Sequence, residues 1–179
     1  MVHTTAKLLQ RQGYHGTGLN QIVAVADAPK GSIYFHFPGG KEQLTAEAIA
    51  HSASYLDRVM DKQPATTAVV AIDTYLEGVA RRLERTEFRE GCPIATVALD
   101  VGASSVEIGD ACSTAFDRII ERIAAWLEAE GVETVVAHDS AFLVLTALEG
   151  ALMLAKVKRS VEPITRLRAA LPDLIGSAG

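Results

Sequence analysis

The sequence predicts an all-α fold. Apolar residues recur at helical spacings of three and four, whereas alternation with a period of two never extends beyond a few residues. No Asn-Gly or Asp-Gly dipeptide joins two apolar runs as a hairpin turn would. Glycine and proline instead divide the 179 residues at intervals typical of helix ends. We therefore expect a chain of helices without a sheet.

The first forty residues predict three short helices. The first is expected to end at Gly13, since glycine readily takes the left-handed conformation that closes a helix. The second follows Thr17-Gly18 and ends near residues 27 and 28, because Pro29 disfavours a helical conformation in the residue before it. Pro29 then opens a third helix that runs to Phe37. The apolar face of the second helix consists of Leu19, Ile22, Val23 and Ala26.

The rest of the chain predicts longer helices. Most carry an apolar stripe on one side, but the segment Phe142–Leu154 is apolar on nearly all sides, which predicts burial all round. The predicted spans are about 41–60, a helix that Pro64 opens, 92–101, 104–130, 134–158 and 162–175. We expect two domains, residues 1–45 and the larger segment 46–179.

Charge is unevenly distributed along the chain. Of the net charge of −5, the first 41 residues contribute +3, because four cations stand there against Asp27 alone. The remainder therefore carries −8. A basic end on an acidic body indicates that the N-terminal segment faces a polyanion, although four cations are also compatible with a solvated face.

Composition excludes several other classes of protein. The hydrophobic content of 49% is ample for a core and argues against disorder. The most apolar stretch, Ala141–Ala155, is shorter than a bilayer requires and contains Glu149, and the N-terminus lacks the pattern of a signal peptide. We therefore expect a cytoplasmic protein with no membrane partner.

Two cysteines and five scattered histidines indicate neither a metal site nor a bound cofactor. Cys92 and Cys112 are interpreted as small buried thiols, with a redox switch between them as the alternative. The chain has no phosphate-binding glycine loop, no zinc-protease motif and no nucleophile elbow. An enzyme is therefore not expected.

The second and third predicted helices have the arrangement of a helix-turn-helix. In that motif the second helix of the pair lies in the major groove and the first braces it. Ile33 and Phe37 are spaced i, i+4 and are expected to pack inward, which leaves the polar side chains and Tyr34 outward. Periodicity alone leaves an ordinary surface helix as an alternative.

The residue order of the N-terminal segment resembles the DNA-binding domain of the TetR (tetracycline-repressor) family. The resemblance rests on Gly13-Tyr14-His15-Gly16-Thr17, Ile22, the run from Ala28 to Phe37, and Lys41-Glu42-Gln43-Leu44. Two further stretches, Phe37-Pro38-Gly39-Gly40-Lys41 and Gly91-Cys92-Pro93-Ile94-Ala95, are similar to the lincomycin-resistance-repressor branch. The resemblance implies a repressor that binds double-stranded operator DNA.

The resemblance also implies roles for individual residues. Thr17 and the backbone around it are expected to hold a phosphate, and Lys30 and Gly31 open the recognition helix. Ser32 and Phe35 are expected to contact bases, Phe35 through a thymine methyl. The residues expected to contact phosphates are Tyr34, His36 and Lys41; for His36 a helix-packing role is the alternative.

Three features depart from the family pattern. The chain begins inside the family's first helix, so either an upstream basic arm is absent or the native start lies earlier. Leu9 replaces a common phenylalanine, which is a tolerable exchange in a core. Asp27 replaces the usual turn glycine, and aspartate tolerates left-handed backbone better than most residues.

The C-terminal segment predicts a homodimer and implies an effector pocket. The last two long helices are expected to form a four-helix core with a second copy, with a larger monomeric core as the alternative. The resemblance implies a pocket for a small apolar or amphipathic effector between the middle helices. The candidate lining residues are Tyr75, Phe88, Phe116, Trp126, Phe142, Glu149 and Met153. A plain core role is the alternative for each of them except Glu149, for which a structural hydrogen bond is favoured over a ligand role. A DNA-binding or interaction protein without any effector is the alternative function.

Overall fold

The structure, a computed structural model, describes residues 1–29, 31–61 and 67–176. Within these residues every regular secondary-structure element is a helix, which confirms the all-α prediction. The helices are α1 (Val2–Gln12), α2 (Leu19–Val25), α3 (Ser32–His36), α4 (Gly40–Asp61), α5 (Ala68–Arg85), α6 (Pro93–Val101), α7 (Val106–Glu128), α8 (Thr134–Lys158) and α9 (Glu162–Gly176). Lys30 and Pro64, both named in the sequence predictions, lie outside the described residues.

Two helix ends near the N-terminus depend on left-handed backbone. Gly13 closes α1 with φ of 71°, and its N–H donates to the carbonyl of Leu9 at 2.9 Å. Asp27 follows α2 with φ of 49°, which agrees with the expectation that aspartate tolerates a left-handed backbone conformation in this turn. Local residue chemistry therefore sets the ends of α1 and α2.

The third helix is shorter than the sequence predicts. It begins at Ser32 rather than at Pro29 and has five residues. Both the N–H and the hydroxyl of Ser32 donate to the carbonyl of Pro29, at 2.9 and 2.7 Å. This pairing is a side-chain-supported turn of the kind that serine forms in competition with helix.

The turn into α4 is held by a side chain from the helix itself. Gly40 takes φ of 65°, and the N–H of Gly39 donates to Oε1 of Gln43 at 2.9 Å. The amide group of Gln43 in turn donates to Glu47 at 3.0 Å. These bonds order the backbone immediately before Lys41.

The chain divides into two compact units. The N-terminal unit comprises residues 1–55 and 92–116, and the C-terminal unit comprises residues 56–91 and 117–179. In the N-terminal unit α1 packs against α2 and α6, and Ile22, Phe37 and Leu44 form a buried cluster. The segment 92–116 thus belongs to the same compact unit as residues 1–55 and contacts α1 through α6. This unit is a spatial grouping and differs from the functional domain 1–45 that the sequence predicts.

In the C-terminal unit α9 packs against both α8 and α5. Ile72, Leu76, Val144, Leu148 and Ile164 are buried there. The second half of α7 forms ion pairs with the end of α4, joining Arg118 to Asp57 and Arg122 to Asp61. Arg168, on α9, donates two hydrogen bonds from its guanidinium to the carboxylate of Asp73, on α5, at 2.7 and 2.8 Å.

Helix α8 is long and apolar enough to cross a membrane by length and composition, alone among the helices of the described residues. Its inner face is buried through Ala137, Ala141, Val144 and Leu148, and the helix packs closely against α9. A core helix of a helical protein has the same length and composition. We therefore assign α8 to the protein body.

Candidate DNA-binding surface

Helix α3 presents its aromatic rings to solvent. Phe35 is 81% exposed and Tyr34 is 66% exposed, while Ile33, on the opposite face, is buried. The imidazole of His36 is also exposed and meets the Phe35 ring edge to face, with the ring centroids 4.9 Å apart. A five-residue helix thus keeps one apolar side chain in the core and holds three rings outside it.

The start of α3 is open to close approach. Gly31 is exposed, and a Cβ added there would meet nothing within 4 Å. The neighbouring Ser32 is half-buried, and its hydroxyl donates to Pro29, which leaves the oxygen lone pairs as acceptors. The glycine is therefore dispensable for packing within the unit and leaves room for a partner backbone.

Thr17 lies inside the turn between α1 and α2 rather than on its surface. The residue is 1% exposed, and its hydroxyl donates to the carbonyl of Gly13 at 2.7 Å. Gln12 spans the same turn, since its amide donates to the carbonyl of Gly16 at 2.6 Å. The Thr17 hydroxyl thus fixes the turn. The first backbone hydrogen bond of α2 comes from Ile22, so the N–H groups of residues 18–21 have no helical acceptor and are available to a phosphate.

Lys41 lies over an aromatic ring that the sequence predictions did not include in the site. Its Nζ is 4.0 Å from the centroid of the Tyr14 ring, a cation–π arrangement. Burial lowers the pKa of Lys41 from its ordinary value. Burial also raises the pKa of Tyr14, and the nearby charge of Glu42 adds to that effect. Tyr14 thereby fixes the direction in which Lys41 points.

The backbone of Tyr14 is held from another part of the N-terminal unit. Its N–H donates to Oδ2 of Asp100, on α6, at 2.8 Å. The chain separation of 86 residues explains why no local pattern indicated this contact. The constellation around Lys41 therefore includes two residues, Tyr14 and Asp100, absent from the predicted site.

The two cysteines differ in environment. Cys112 is buried, and burial raises the pKa of its thiol to about 11. Such a thiol is almost entirely protonated at neutral pH and is a poor nucleophile. Cys92 is half-buried at the start of α6 and accepts a hydrogen bond from the N–H of Ala95 at 3.5 Å. These environments favour the interpretation of Cys112 as a core residue.

The predicted effector residues differ widely in burial. Tyr75 is buried on α5, whereas Phe142 and Met153 are exposed on α8, at 58% and 59%. Phe116 belongs to the N-terminal unit and the other six belong to the C-terminal unit. The remaining candidates are half-buried: Phe88, Phe116, Trp126 and Glu149. The proposed pocket wall stays a prediction.

The outer face of α8 carries an apolar stripe along its length. These side chains recur at helical spacing, and each is about half exposed or more: Val135, Phe142, Leu143, Met153, Leu154 and Val157. Gly150 lies within the same segment, and a Cβ added there would meet nothing within 4 Å. Exposed apolar side chains that share one helix face mark an interaction surface, although the exposed Asp139 and Thr146 interrupt this one. We refer to these six residues and Gly150 as the α8 stripe.

Comparisons with known proteins match both ends of the chain to one family. Residues 2–48 match the model for bacterial regulatory proteins of the tetR family, and residues 68–170 match that for the transcriptional regulator LmrA/YxaF-like C-terminal domain. The chain is 32% identical to the HTH-type transcriptional regulator LmrA of Bacillus subtilis, over 98% of this chain and 94% of that protein.

Solved structures show the same fold. The regulatory protein TetR from Rhodobacter sphaeroides superposes with a TM-score of 0.83 at 20% identity, covering 97% of this chain and 96% of that one. The TetR family transcriptional regulator CifR, a cysteine mutant complexed with a 26 bp double-strand operator DNA, superposes with a TM-score of 0.72 at 22% identity, covering 98% and 93%. The chain belongs to the TetR family of bacterial transcriptional regulators, with a C-terminal domain of the LmrA/YxaF-like type.

Proposed function

We propose that the protein is a homodimeric repressor that binds a pseudo-palindromic operator through α3 of each copy and is released by a small effector. The role is regulatory rather than catalytic, and the protein acts in the cytoplasm, where its DNA is. The DNA-binding part of the proposal rests on one observation. Tyr34 and Phe35 are exposed close to the first turn of α4, which carries the ammonium group of Lys41.

Exposed rings on α3 suit a DNA groove better than solvent. An apolar ring gains free energy when a thymine methyl removes it from water, and Phe35 is the most exposed phenylalanine among the described residues. Tyr34, His36 and Lys41 supply hydrogen-bond donors that phosphates accept. Ser32 and Gly31 lie at the start of α3, where that helix would enter the major groove. Lys30 keeps its predicted role on the strength of the family pattern.

The α8 stripe supports the homodimer. A second copy offers the same surface, so a two-fold interface buries both stripes at once. The two-fold axis would place the recognition helices about 34 Å apart, one turn of DNA. Gly150 has no crowded neighbour within its own chain, and its missing side chain allows two helices to approach closely.

The effector part of the proposal rests on polar and aromatic groups in the C-terminal unit. Tyr75, Trp126 and Glu149 offer ring faces and a carboxylate. Ser140, on α8, is fully buried, and within the described part of the chain its hydroxyl has no hydrogen-bond partner. A ligand hydroxyl or carbonyl would satisfy that group. Binding then shifts the population toward a conformation whose recognition helices no longer match successive major grooves.

Selection of bound sequences from a random DNA pool tests the proposed DNA binding. We expect enrichment of a two-fold symmetric site and a footprint that spans two major grooves on one face of the duplex. Enrichment of no sequence, with binding that depends only on salt concentration, would contradict the repressor.

Titration with candidate apolar and amphipathic compounds tests effector release. Release of the selected operator at saturating compound is the expected result, and it should weaken in the Ser140→Ala variant with operator affinity unchanged in the absence of compound. Sharp operator binding that no compound in a broad panel changes would favour the alternative, a DNA-binding protein without an effector.

A further inference from the structure

The turn between α1 and α2 is closed by a side chain distant in sequence. After Gly13 the backbone leaves α1, and the N–H of Tyr14 donates to the Asp100 carboxylate at 2.8 Å. The carbonyl of Tyr14 accepts the N–H of Thr17 at 3.1 Å. The carboxylate from α6 therefore holds the first peptide group of the turn that leads into α2.

Gly13 and Asp100 fit each other closely. A Cβ on Gly13 would overlap the Asp100 carboxylate, and the φ of 71° is one that other residues rarely adopt. The glycine thus both permits the turn and leaves space for the carboxylate. Backbone conformation and side-chain position support the same contact.

The same residue, Tyr14, also orients the cation of the DNA-binding surface. Its ring lies 4.0 Å from Nζ of Lys41. If the Tyr14 backbone is displaced, its ring moves and Lys41 loses its support. Asp100, Tyr14 and Lys41 therefore form a short chain of contacts from α6 to the start of α4, all within the N-terminal unit.

We infer that Asp100 is a positioning residue for operator binding, acting on Lys41 through Tyr14. This inference rests on the proposed DNA-binding function and adds to it a residue outside the helix-turn-helix. A positioning role and simple electrostatics predict opposite changes in DNA affinity when Asp100 is removed. Removing an acidic group close to a DNA-binding surface should strengthen binding to a polyanion, whereas removing a positioning group should weaken it.

The test compares Asp100→Ala with Asp100→Asn on the selected operator over a range of salt concentrations. We expect Asp100→Ala to bind about 10-fold more weakly, with a salt slope shallower by about 1 to 2, because one phosphate contact per copy is impaired. Asp100→Asn keeps an acceptor oxygen and should stay within about threefold of wild type. Asp110→Ala, which removes an exposed carboxylate of the same unit, is the matched control and should not weaken binding.

A double-mutant cycle separates positioning from a general loss of structure. In a Lys41→Ala background, Asp100→Ala should cause little further loss, since both changes remove the same phosphate contact. Losses that multiply would overturn the inference. Binding by Asp100→Ala that equals or exceeds wild-type binding would overturn it as well.

Amide hydrogen exchange at Tyr14, measured without DNA, keeps this inference distinct from the proposed function. We expect at least about 10-fold faster exchange in Asp100→Ala and near wild-type protection in Asp100→Asn. Unchanged exchange in Asp100→Ala contradicts the inference even if the wild-type protein binds DNA. Failure of wild-type protein to bind any selected operator contradicts the proposed function instead. If Asp100→Ala melts below the assay temperature, Asp100→Ser, whose side chain is too short to reach Tyr14, replaces it.

Discussion

Two regions of the molecule expose large apolar side chains, and they do so in different ways. On α3 the exposed rings of Tyr34 and Phe35 stand beside His36 on a helix of five residues. On α8 the exposed side chains extend over more than six helical turns, from Val135 to Val157. The first surface mixes rings with hydrogen-bond donors, and the second is predominantly apolar.

The difference indicates two kinds of partner. A groove of DNA presents base edges and methyl groups between rows of phosphates, so a reader needs few apolar contacts and several donors. A second copy of a helix presents the same apolar surface, so continuity of the stripe matters more than donors. Exposed hydrophobic area alone does not distinguish these partners, whereas the polar groups beside it do.

A charge in the α8 stripe gives the largest expected effect. Phe142→Glu places two carboxylates in the proposed two-fold interface, where burying an unpaired charge costs several kcal/mol. We expect a monomer by analytical ultracentrifugation and a loss of operator affinity of about 100-fold or more, because both half-sites must be bound together.

A matched control for the α8 stripe is Val106→Glu. Val106 is 80% exposed on α7 and belongs to the N-terminal unit, whereas α8 belongs to the C-terminal unit. This variant should remain dimeric. Phe142→Glu could instead remain dimeric, like Val106→Glu, and lose its response to effector. That result would place Phe142 in the effector pocket, as the sequence predicts, and not in the dimer interface.

Truncation of the α3 ring gives the next effect. Phe35→Ala should lower operator affinity and relax preference at one base pair of each half-site, with a cost of about 1–3 kcal/mol for each lost base contact. Repeating the random-pool selection with this variant measures the change. Phe35→Leu retains part of the apolar contact, so its operator affinity should lie between those of the wild type and Phe35→Ala. An even loss across all sequences would assign Phe35 to the phosphates instead.

Removal of the α4 cation gives a smaller and sequence-independent effect. Lys41→Ala should weaken binding about equally for operator and for unrelated DNA, and reduce the salt slope of the dimer by about 2. Lys7→Ala removes an exposed cation of α1 and serves as the comparison. A Lys41→Ala variant that keeps the wild-type salt slope would show that this ammonium does not contact phosphate.

Helix ends were predictable because their causes are local. Gly13 and Asp27 both adopt positive φ, and residue type alone indicates which positions tolerate it. Helix α8 has the predicted bounds Thr134–Lys158. The start of α3 was missed because serine and proline can form either a turn or a helix start, and only the observed bonds to Pro29 decide between them.

Contacts between distant segments were not predictable in this way. The Asp100–Tyr14 bond joins residues 86 apart, and neither residue shows an unusual local pattern. The outer face of α8 was equally hidden, since a helix that is apolar all round has no periodic signal to indicate which side faces out. Phe142 and Met153 were chosen for the pocket by residue type, and residue type does not report orientation.

The smallest expected effect concerns an ion pair outside both α3 and the α8 stripe. The Arg168 guanidinium hydrogen-bonds Asp73 and lowers the pKa of that carboxyl, and its charge adds to the effect while partial burial opposes it. Since the folded-state pKa lies below the unfolded one, the stabilisation is present above the unfolded pKa, near 4, and disappears as the pH falls through the folded value.

Arg168→Met tests this ion pair. The Asp73 side chain is 38% exposed, so solvent screening limits the loss to about 0.5–1 kcal/mol at pH 7. Chemical denaturation at pH 7 and at pH 2.5 to 3 should show a difference from wild type that is larger at the higher pH. Arg166→Met, which breaks an exposed pair with Glu162 on the same helix, should change stability less. Because the pair joins α9 to α5 and touches neither α3 nor the α8 stripe, operator affinity should be unchanged. A change in affinity would show that stability of the C-terminal unit alone alters DNA binding, and the effects of Phe142→Glu would then need the same correction.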